Sequence, residues 1–514
     1  MHSIPGARVV VGARRVLTVS LGLALLGCTV GPDFERPEPP SVDRYTVDPL
    51  PSATASAPFP KGEAQRFVAA RDLPAEWWNL FHSPALDALI KDAIKASPNI
   101  KAAQAALRQA REMRLAGEGA FFPLVQGSFN ASRNKTAATL TPVPAGGSLY
   151  YNQYTAQLAV TYMPDVFGGT RRTVEGLLAQ EEGGRFELEA AYLTLTSGLV
   201  AAALGEAGLR EQIAATKEIV RVQRESLDIL RKQLALGQVA GQDVAAQEAA
   251  LAQAEATLPP LEKQLAQQRN LIAVLAGRPP SQQPAATFDL ASLQLPQDLP
   301  VSLPSSLVEQ RPDIRAAESS LHAASAAIGV AVAARLPQIA LSANYGNTVL
   351  SPLTIASLFG PGSSFWTVAG NVSQTLFDAG TLLHKQRAAE AAFDQSAAQY
   401  KQTVLTAFQN VADTLEALKS DADTLKAAAA AEKAAKDSLD IAKRQLSTGA
   451  VNYLALLTAE NTYMQALIAR VQAQAARFAD TAALFQALGG GWWNRSDRPA
   501  EGESVLSLPA FLSP

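Results

Sequence analysis

Hydrophobic and polar positions alternate with a period of two in four separate stretches of the chain. Val125, Gly127, Phe129 and Ala131 alternate with Gln126, Ser128, Asn130 and Ser132. Tyr154, Ala156, Leu158, Val160 and Tyr162 alternate in the same way with Thr155, Gln157 and Thr161. Ile339, Leu341, Ala343 and Tyr345, and then Trp366, Val368, Gly370 and Val372, repeat the pattern. Each stretch therefore predicts a strand with one apolar face and one polar, nearly uncharged face. Elsewhere the pattern turns helical. Residues 169–236 and 380–448 contain no proline, and helices of that length would each reach on the order of 100 Å. Such helices cannot bury themselves in a compact domain and need coiled-coil-like packing. Return helices over 243–275 and 453–488 are about half as long. Shorter helices over 84–120, broken near Pro98, and over 312–335 end at Pro123 and Pro337. These could continue the return helices end to end.

The two sets of elements are copies of one unit. Ser-Pro-Asn-Ile-Lys-Ala-Ala at 97–103 matches Arg-Pro-Asp-Ile-Arg-Ala-Ala at 311–317, an offset of 214. The same offset pairs Pro123 with Pro337, Ser128 with Ser342 and Asn130 with Asn344. Gly169 matches Gly380 at 211, and Gly237 matches Gly449 at 212. Offsets this steady, with Pro and Gly kept in step, indicate duplication.

Four strands cannot close a membrane barrel, since the smallest have about eight. An open sheet edge is not tolerated in lipid. Either the sheet is soluble, or several chains share one barrel. Strand lengths near ten residues and the terminal aromatics Tyr154, Tyr162 and Trp366 favour lipid-facing strands.

The N-terminus reads as an address. Arg8, Arg14 and Arg15 precede an apolar run from Val16 to Leu26, too short to span a bilayer, which takes ~20 residues. The run ends in Leu25-Leu26-Gly27-Cys28, similar to a bacterial lipobox, whose cysteine becomes the lipidated first residue. An ordinary signal peptide with a chance cysteine is the plainer alternative. Thr29, where an Asp commonly retains Gram-negative lipoproteins at the inner membrane, fits outer-membrane sorting. A Pro- and Ser-rich stretch to about Pro60 reads as a tether.

Composition excludes several chemistries. Cys28 is the single cysteine of 514 residues, so no disulfide framework forms within one chain. Four histidines lie far apart, leaving little material for a metal site. The net charge of -3 and the lack of a dense basic run argue against nucleic acid. No phosphate-cradling Gly loop, nucleophile elbow or His-acid constellation is present, so neither catalysis nor a cofactor is expected. Any transport energy must come from a partner.

These residues resemble a known family, the TolC-like outer-membrane factors, in the NodT-type efflux lipoprotein branch. The resemblance runs over nearly the whole chain. It rests on Cys28-Thr29-Val30-Gly31-Pro32-Asp33-Phe34, Trp77-Trp78 with Phe81, Pro164-Asp165-Val166-Phe167-Gly168, Arg269-Asn270-Leu271, Arg311-Pro312-Asp313-Ile314 and Thr375-Leu376-Phe377-Asp378-Ala379-Gly380. It implies a mostly helical homotrimer: a 12-stranded outer-membrane β-barrel continuous with a long periplasmic α-helical barrel, girdled by an equatorial belt. The expected organisation is a signal peptide at 1–27, a lipidated tether at 28–61, a first repeat at 62–277, an equatorial linker at 278–310, a second repeat at 311–488 and a tail at 489–514. Loops near 133–152 and 347–365 would face the exterior.

The resemblance also assigns sites. The hairpin tips, with Gly237, Gln238, Asp243, Gly449, Asn452 and Tyr453, would dock a periplasmic adaptor protein. Gly237 and Gly449 would end helices in the left-handed conformation and Asp243 would cap the next helix. Relatives narrow the mouth with acidic residues after the second tip. Here Leu454, Ala455, Leu457 and Thr458 imply an uncharged gate of apolar contacts and hydrogen bonds; packing between helices is the bland account of the leucines. Asp165 and Asp378 are expected to serve only in capping and turns. The expected function is the passive exit duct of a tripartite efflux system, working with the adaptor and an inner-membrane transporter of RND type, for drugs, toxic compounds or metals. A type I protein-secretion outlet and a pore-free coiled-coil lipoprotein are the alternatives.

Overall fold

A computed structural model describes residues 29–136, 149–350 and 353–496. Cys28 and the export signal lie outside the described residues.

Five segments open the chain's body: strand β1 (Arg66–Ala69), helices α1 (Pro84–Ala96) and α2 (Pro98–Glu118), and strands β2 (Leu124–Thr136) and β3 (Leu149–Tyr162). The break near Pro98 arises because Ser97 accepts a hydrogen bond from the Ile100 amide and Pro98 takes the first helical position. The long hairpin follows: α3 (Gly169–Ala235), then α4 (Gly241–Ala256) and α5 (Leu258–Leu275). The expected single return helix over 243–275 is thus two helices. Pro259 and Pro260 carry no amide hydrogens, so the ladder stops at Thr257 and restarts. Strand β4 (Asp298–Val301) and α6 (Pro304–Gln310) lead into the second copy: α7 (Pro312–Ala333), β5 (Gln338–Leu350), β6 (Ser364–Ser373), α8 (Thr381–Ser447) and α9 (Tyr453–Ala487).

β2, β3, β5 and β6 form one antiparallel sheet in that order. The register sets Phe129 opposite Ala156, Leu158 opposite Tyr345, and Tyr345 opposite Trp366. All four apolar sets therefore lie on one face. The opposite face carries Ser128, Asn130, Gln157, Thr155, Thr348, Asn344 and Asn371, with Thr155 and Thr348 hydroxyls 3.0 Å apart. β2 and β6 are left as unpaired edges, so one chain cannot close the sheet. The strands run further than expected. Arg133–Thr136 pair with Leu149–Asn152, and β5 continues to Leu350. Their polar composition suggested loop, yet ladder pairing continues past the apolar band because backbone groups still need partners.

The end-to-end stacking of helices occurs in both copies. Gly277, just past α5, packs on Ala96, beside the start of α2. Gly489, just past α9, packs on the Gln310 carbonyl beside the start of α7, and Arg311 donates to the Ala487 carbonyl at 2.9 Å. Each chain thus supplies four columns: α3, α8, and two composite ones. α3 and α7 contain apolar stretches long enough to cross a membrane, but much of each stretch is buried against neighbouring helices.

A belt of short segments packs across the middle of the helices. β1 and β4 pair in parallel, with Arg66 opposite Asp298. Trp77, Phe81, Phe478 and Phe485 are buried together, with Trp77 and Phe485 rings 5.6 Å apart. Large aromatic burial of this kind dominates such a core. Inside the belt the Arg477 guanidinium, 1% exposed, donates to Gln65 Oε1, Thr54 Oγ1 and the Glu63 carbonyl.

Burial, and then the neighbouring Asp480, push the Asp421 carboxyl from its ordinary 3.8 up to about 7, while Arg477 pulls the other way. In the unfolded chain this carboxyl loses its proton first. Between about pH 4 and 7 the unfolded state therefore binds fewer protons, and stability falls as pH rises. The unfolding midpoint of the detergent-solubilised protein is expected to be lower at pH 8 than at pH 5. Asp421→Asn should reduce that difference. An equal difference in native and variant proteins would remove Asp421 as its source.

Candidate functional site: the hairpin tips

Both tips are built alike from their glycines. Gly237 (φ +72°) and Gly449 (φ +74°) stand in the left-handed region. Their amides donate to the Leu234 and Leu446 carbonyls, and the next amides, of Gln238 and Ala450, reach the Gln233 and Gln445 carbonyls. This is the Schellman geometry that closes a helix end.

The following helices start differently. At the second tip Asn452 Oδ1 accepts from the Ala455 amide at 3.1 Å, an ordinary N-cap. At the first tip Asp243 lies inside the first turn, and its carboxylate reaches back to accept from the Ala240 amide at 3.2 Å. Asp243 therefore caps from the third helical position, not from the N-cap position. Ala240, which has no side-chain acceptor, sits at the cap itself.

The tip residues divide by exposure. Gly237, Gln238, Gly449 and Asn452 are exposed, and Asp243 is half-buried. Tyr453 is 6% exposed. Its hydroxyl donates to Gln247 Oε1, and Gln247 Nε2 donates to the Gln223 carbonyl at 2.8 Å. Tyr453 thus ties the second hairpin to the first and offers no surface to a partner. Burial, then the charges of Glu460 and Asp243, push its phenol well above the usual range.

The expected gate residues divide in the same way. Leu454, Ala455 and Thr458 are exposed. Leu454 and Ala455 are adjacent and Thr458 lies one turn further along α9, where its hydroxyl donates back to the Leu454 carbonyl. Leu457 is buried with Leu456, Leu227, Leu230, Val244 and Leu439. That face packs onto α3, α4 and α8, so Leu457 belongs to the core beneath the tips.

Sequence reasoning missed Gln247 and Glu460. Glu460 is buried between helices, with Oε1 3.3 Å from the Ser226 hydroxyl. Burial raises its pKa against the opposing effect of Lys443. Its helical spacing from Leu456 and Leu457 was the available signal: it continues their buried face. Asp165 accepts from the Thr170 and Arg171 amides, and Asp378 from those of Gly380 and Leu382. These bonds hold Asp378 below the usual carboxylate range. Among the described residues no cluster of His, Cys, Asp and Glu is able to hold a metal.

An open four-stranded sheet with one lipid-compatible face, on helical columns that end in paired tips, defines a subunit of an outer-membrane duct. The model of the outer membrane efflux protein family matches residues 89–278 and 303–490, and the chain belongs to that family. It is 29% identical over 480 residues to the toluene efflux pump outer membrane protein TtgC of Pseudomonas putida, covering 93% of this chain and 96% of that one. It is 28% identical to the cation efflux system protein CusC of Escherichia coli, covering 93% and 99%. The structure of the outer-membrane channel OprN matches with a TM-score of 0.80 and 27% identity, covering 90% of this chain and all of that one. The protein is thus an outer-membrane efflux channel of a non-enzymatic family, and its four-stranded sheet stays open in the single chain.

Proposed function

We propose that the channel is the passive exit duct of a tripartite pump, anchored by lipid on Cys28. In this reading the tips, through Gln238, Asn452 and the backbone at Gly237 and Gly449, dock a periplasmic adaptor, which links the trimer to an inner-membrane transporter of RND type. Cargo is small and chemically diverse. Relatives named for toluene, for cations and for pyoverdine export are similar to this chain at comparable identity. The uncharged polar face of the strands carries little recognition chemistry, so selection rests with the transporter. The observation that supports the reading most is the exposed trio Leu454, Ala455 and Thr458 just above the second tip. In the trimer, three such trios narrow the mouth without charge.

Planar-bilayer recording tests this. Native trimers should give low, weakly selective conductance, and Leu454→Gly should raise it several-fold. If native trimers are strongly cation-selective and Leu454→Gly leaves conductance unchanged, this gate is wrong. For the anchor, Cys28→Ser should abolish fatty-acid labelling; persistent labelling would remove Cys28 as the attachment point.

A further inference from the structure

The four strands contain only two charged residues, Arg133 and Lys135. Both are cations, both lie on β2, and both are exposed. Their register is informative. Arg133 stands opposite Asn152 and Lys135 opposite Tyr150, in the same alternation as Val125, Gly127, Phe129 and Ala131. They therefore project from the apolar, lipid-facing side of the sheet and not into the duct. The Lys135 ammonium lies 5.4 Å from the Tyr150 ring centroid, which places it beside the aromatic at the strand end.

Their height follows from strand geometry. β2 rises from the end of α2, on the helical side, so its C-terminal end is the outer one. Val125 to Lys135 spans ~33 Å of strand, or ~25 Å along the barrel axis at a tilt near 40°, about the height of the apolar band of such barrels. Lys135 sits where that band ends and headgroups begin, and Arg133, at ~20 Å, reaches the same level with its long side chain. A charge within the band would cost ~2–4 kcal/mol and one near the interface little, so this is where cations are tolerated on this face. The strands offer no carboxylate to pair with them.

We propose that Arg133 and Lys135 form a binding site for the phosphates of anionic glycolipid in the outer leaflet of the outer membrane. β2 is an edge strand, and in the closed barrel it pairs with β6 of the next copy. The site therefore lies at the seam between subunits, and the trimer carries three.

The test uses full-length trimers and phosphatidylcholine vesicles doped with diphosphoryl lipid A, with lipid A stripped of its phosphates, or with neither. Arg133→Gln/Lys135→Gln trimers should bind the diphosphoryl vesicles about thirtyfold more weakly than native trimers at low salt, since each basic side chain near an anionic surface contributes a factor of about five. Binding to the two uncharged vesicles should not change. Equal binding of native and variant trimers to diphosphoryl vesicles overturns the proposal, as does native binding that ignores removal of the phosphates. If the double variant does not trimerise, the charge-conserving exchange Arg133→Lys/Lys135→Arg and the single Lys135→Gln supply the comparison. The swap should bind as native does and the single variant about fivefold more weakly; equality of the single variant with native likewise overturns the proposal.

Discussion

Replacing Arg477 by Met is expected to cost about 3–5 kcal/mol of stability and to loosen the belt from the helices. The guanidinium is fully buried, and three acceptors from the N-terminal half of the chain converge on it: Gln65 Oε1 at 3.1 Å, Thr54 Oγ1 at 3.3 Å and the Glu63 carbonyl at 2.6 Å. Met fills much of the volume but donates nothing, so the buried Gln65 Oε1 loses both partner and water, while Thr54 Oγ1 keeps only the Gln65 amide. Arg477 also opposes the repulsion between Asp421 and Asp480, and its loss leaves that pair without a counterion. The contrast is Arg221, whose partners Glu218 and Glu225 are, like it, exposed. Arg221→Ala should leave stability nearly unchanged, because exposed pairs exchange protein contacts for water at little cost. Urea or thermal unfolding of the purified protein, with protease sensitivity of residues 53–66, measures both. Equal stability of the two variants would show that the buried network contributes nothing.

Arg477 also marks where the sequence stops being readable. The strands were legible because their alternation has the period of the pleat, and the register then set four separately read patterns on one face. The long helices were legible because nothing interrupts them. The duplication made Pro and Gly informative: Gly237 and Gly449 occupy equivalent left-handed positions, and Pro98 and Pro312 open equivalent helices. What could not be read depends on contacts between distant segments. Arg477 meets Gln65 across more than 400 residues, and no local pattern encodes that. The family resemblance assigns Tyr453 to the docking tips, and only the neighbouring hairpin, through Gln247, buries it. The resemblance assigns Leu457 to the mouth by its place in the sequence, and position alone does not say which face of the helix its neighbours cover.

The Pro- and Ser-rich composition predicts an unpacked tether, yet the first residues of this strap dock tightly, and Gly31→Ala should release them. Gly31 adopts φ +91°, and a Cβ there would stand 2.4 Å from the Gly329 Cα in α7. The left-handed backbone alone costs an L-residue ~1–2 kcal/mol, and overlap in a packed contact adds ~1–3. A loss of about 3 kcal/mol exceeds what most of the strap's bonds return singly. The Val30 amide donates to the Phe167 carbonyl at 3.2 Å, and Arg172 donates to the Val30 carbonyl and to Asp33. Phe34 stacks on His322 with centroids 4.3 Å apart. Thr29 packs on Gly168 at the turn joining β3 to α3, the base of the sheet. Hydrogen exchange at the Val30 amide reports the outcome. It should speed up about a hundredfold in Gly31→Ala if undocking controls exchange. Gly237→Ala is the control: it has the same φ sign with nothing within 4 Å, so it bears only the backbone cost and should leave Val30 protected. If Gly31→Ala leaves that amide as protected as in the native protein, the close approach of Gly31 to Gly329 is not what seats the strap.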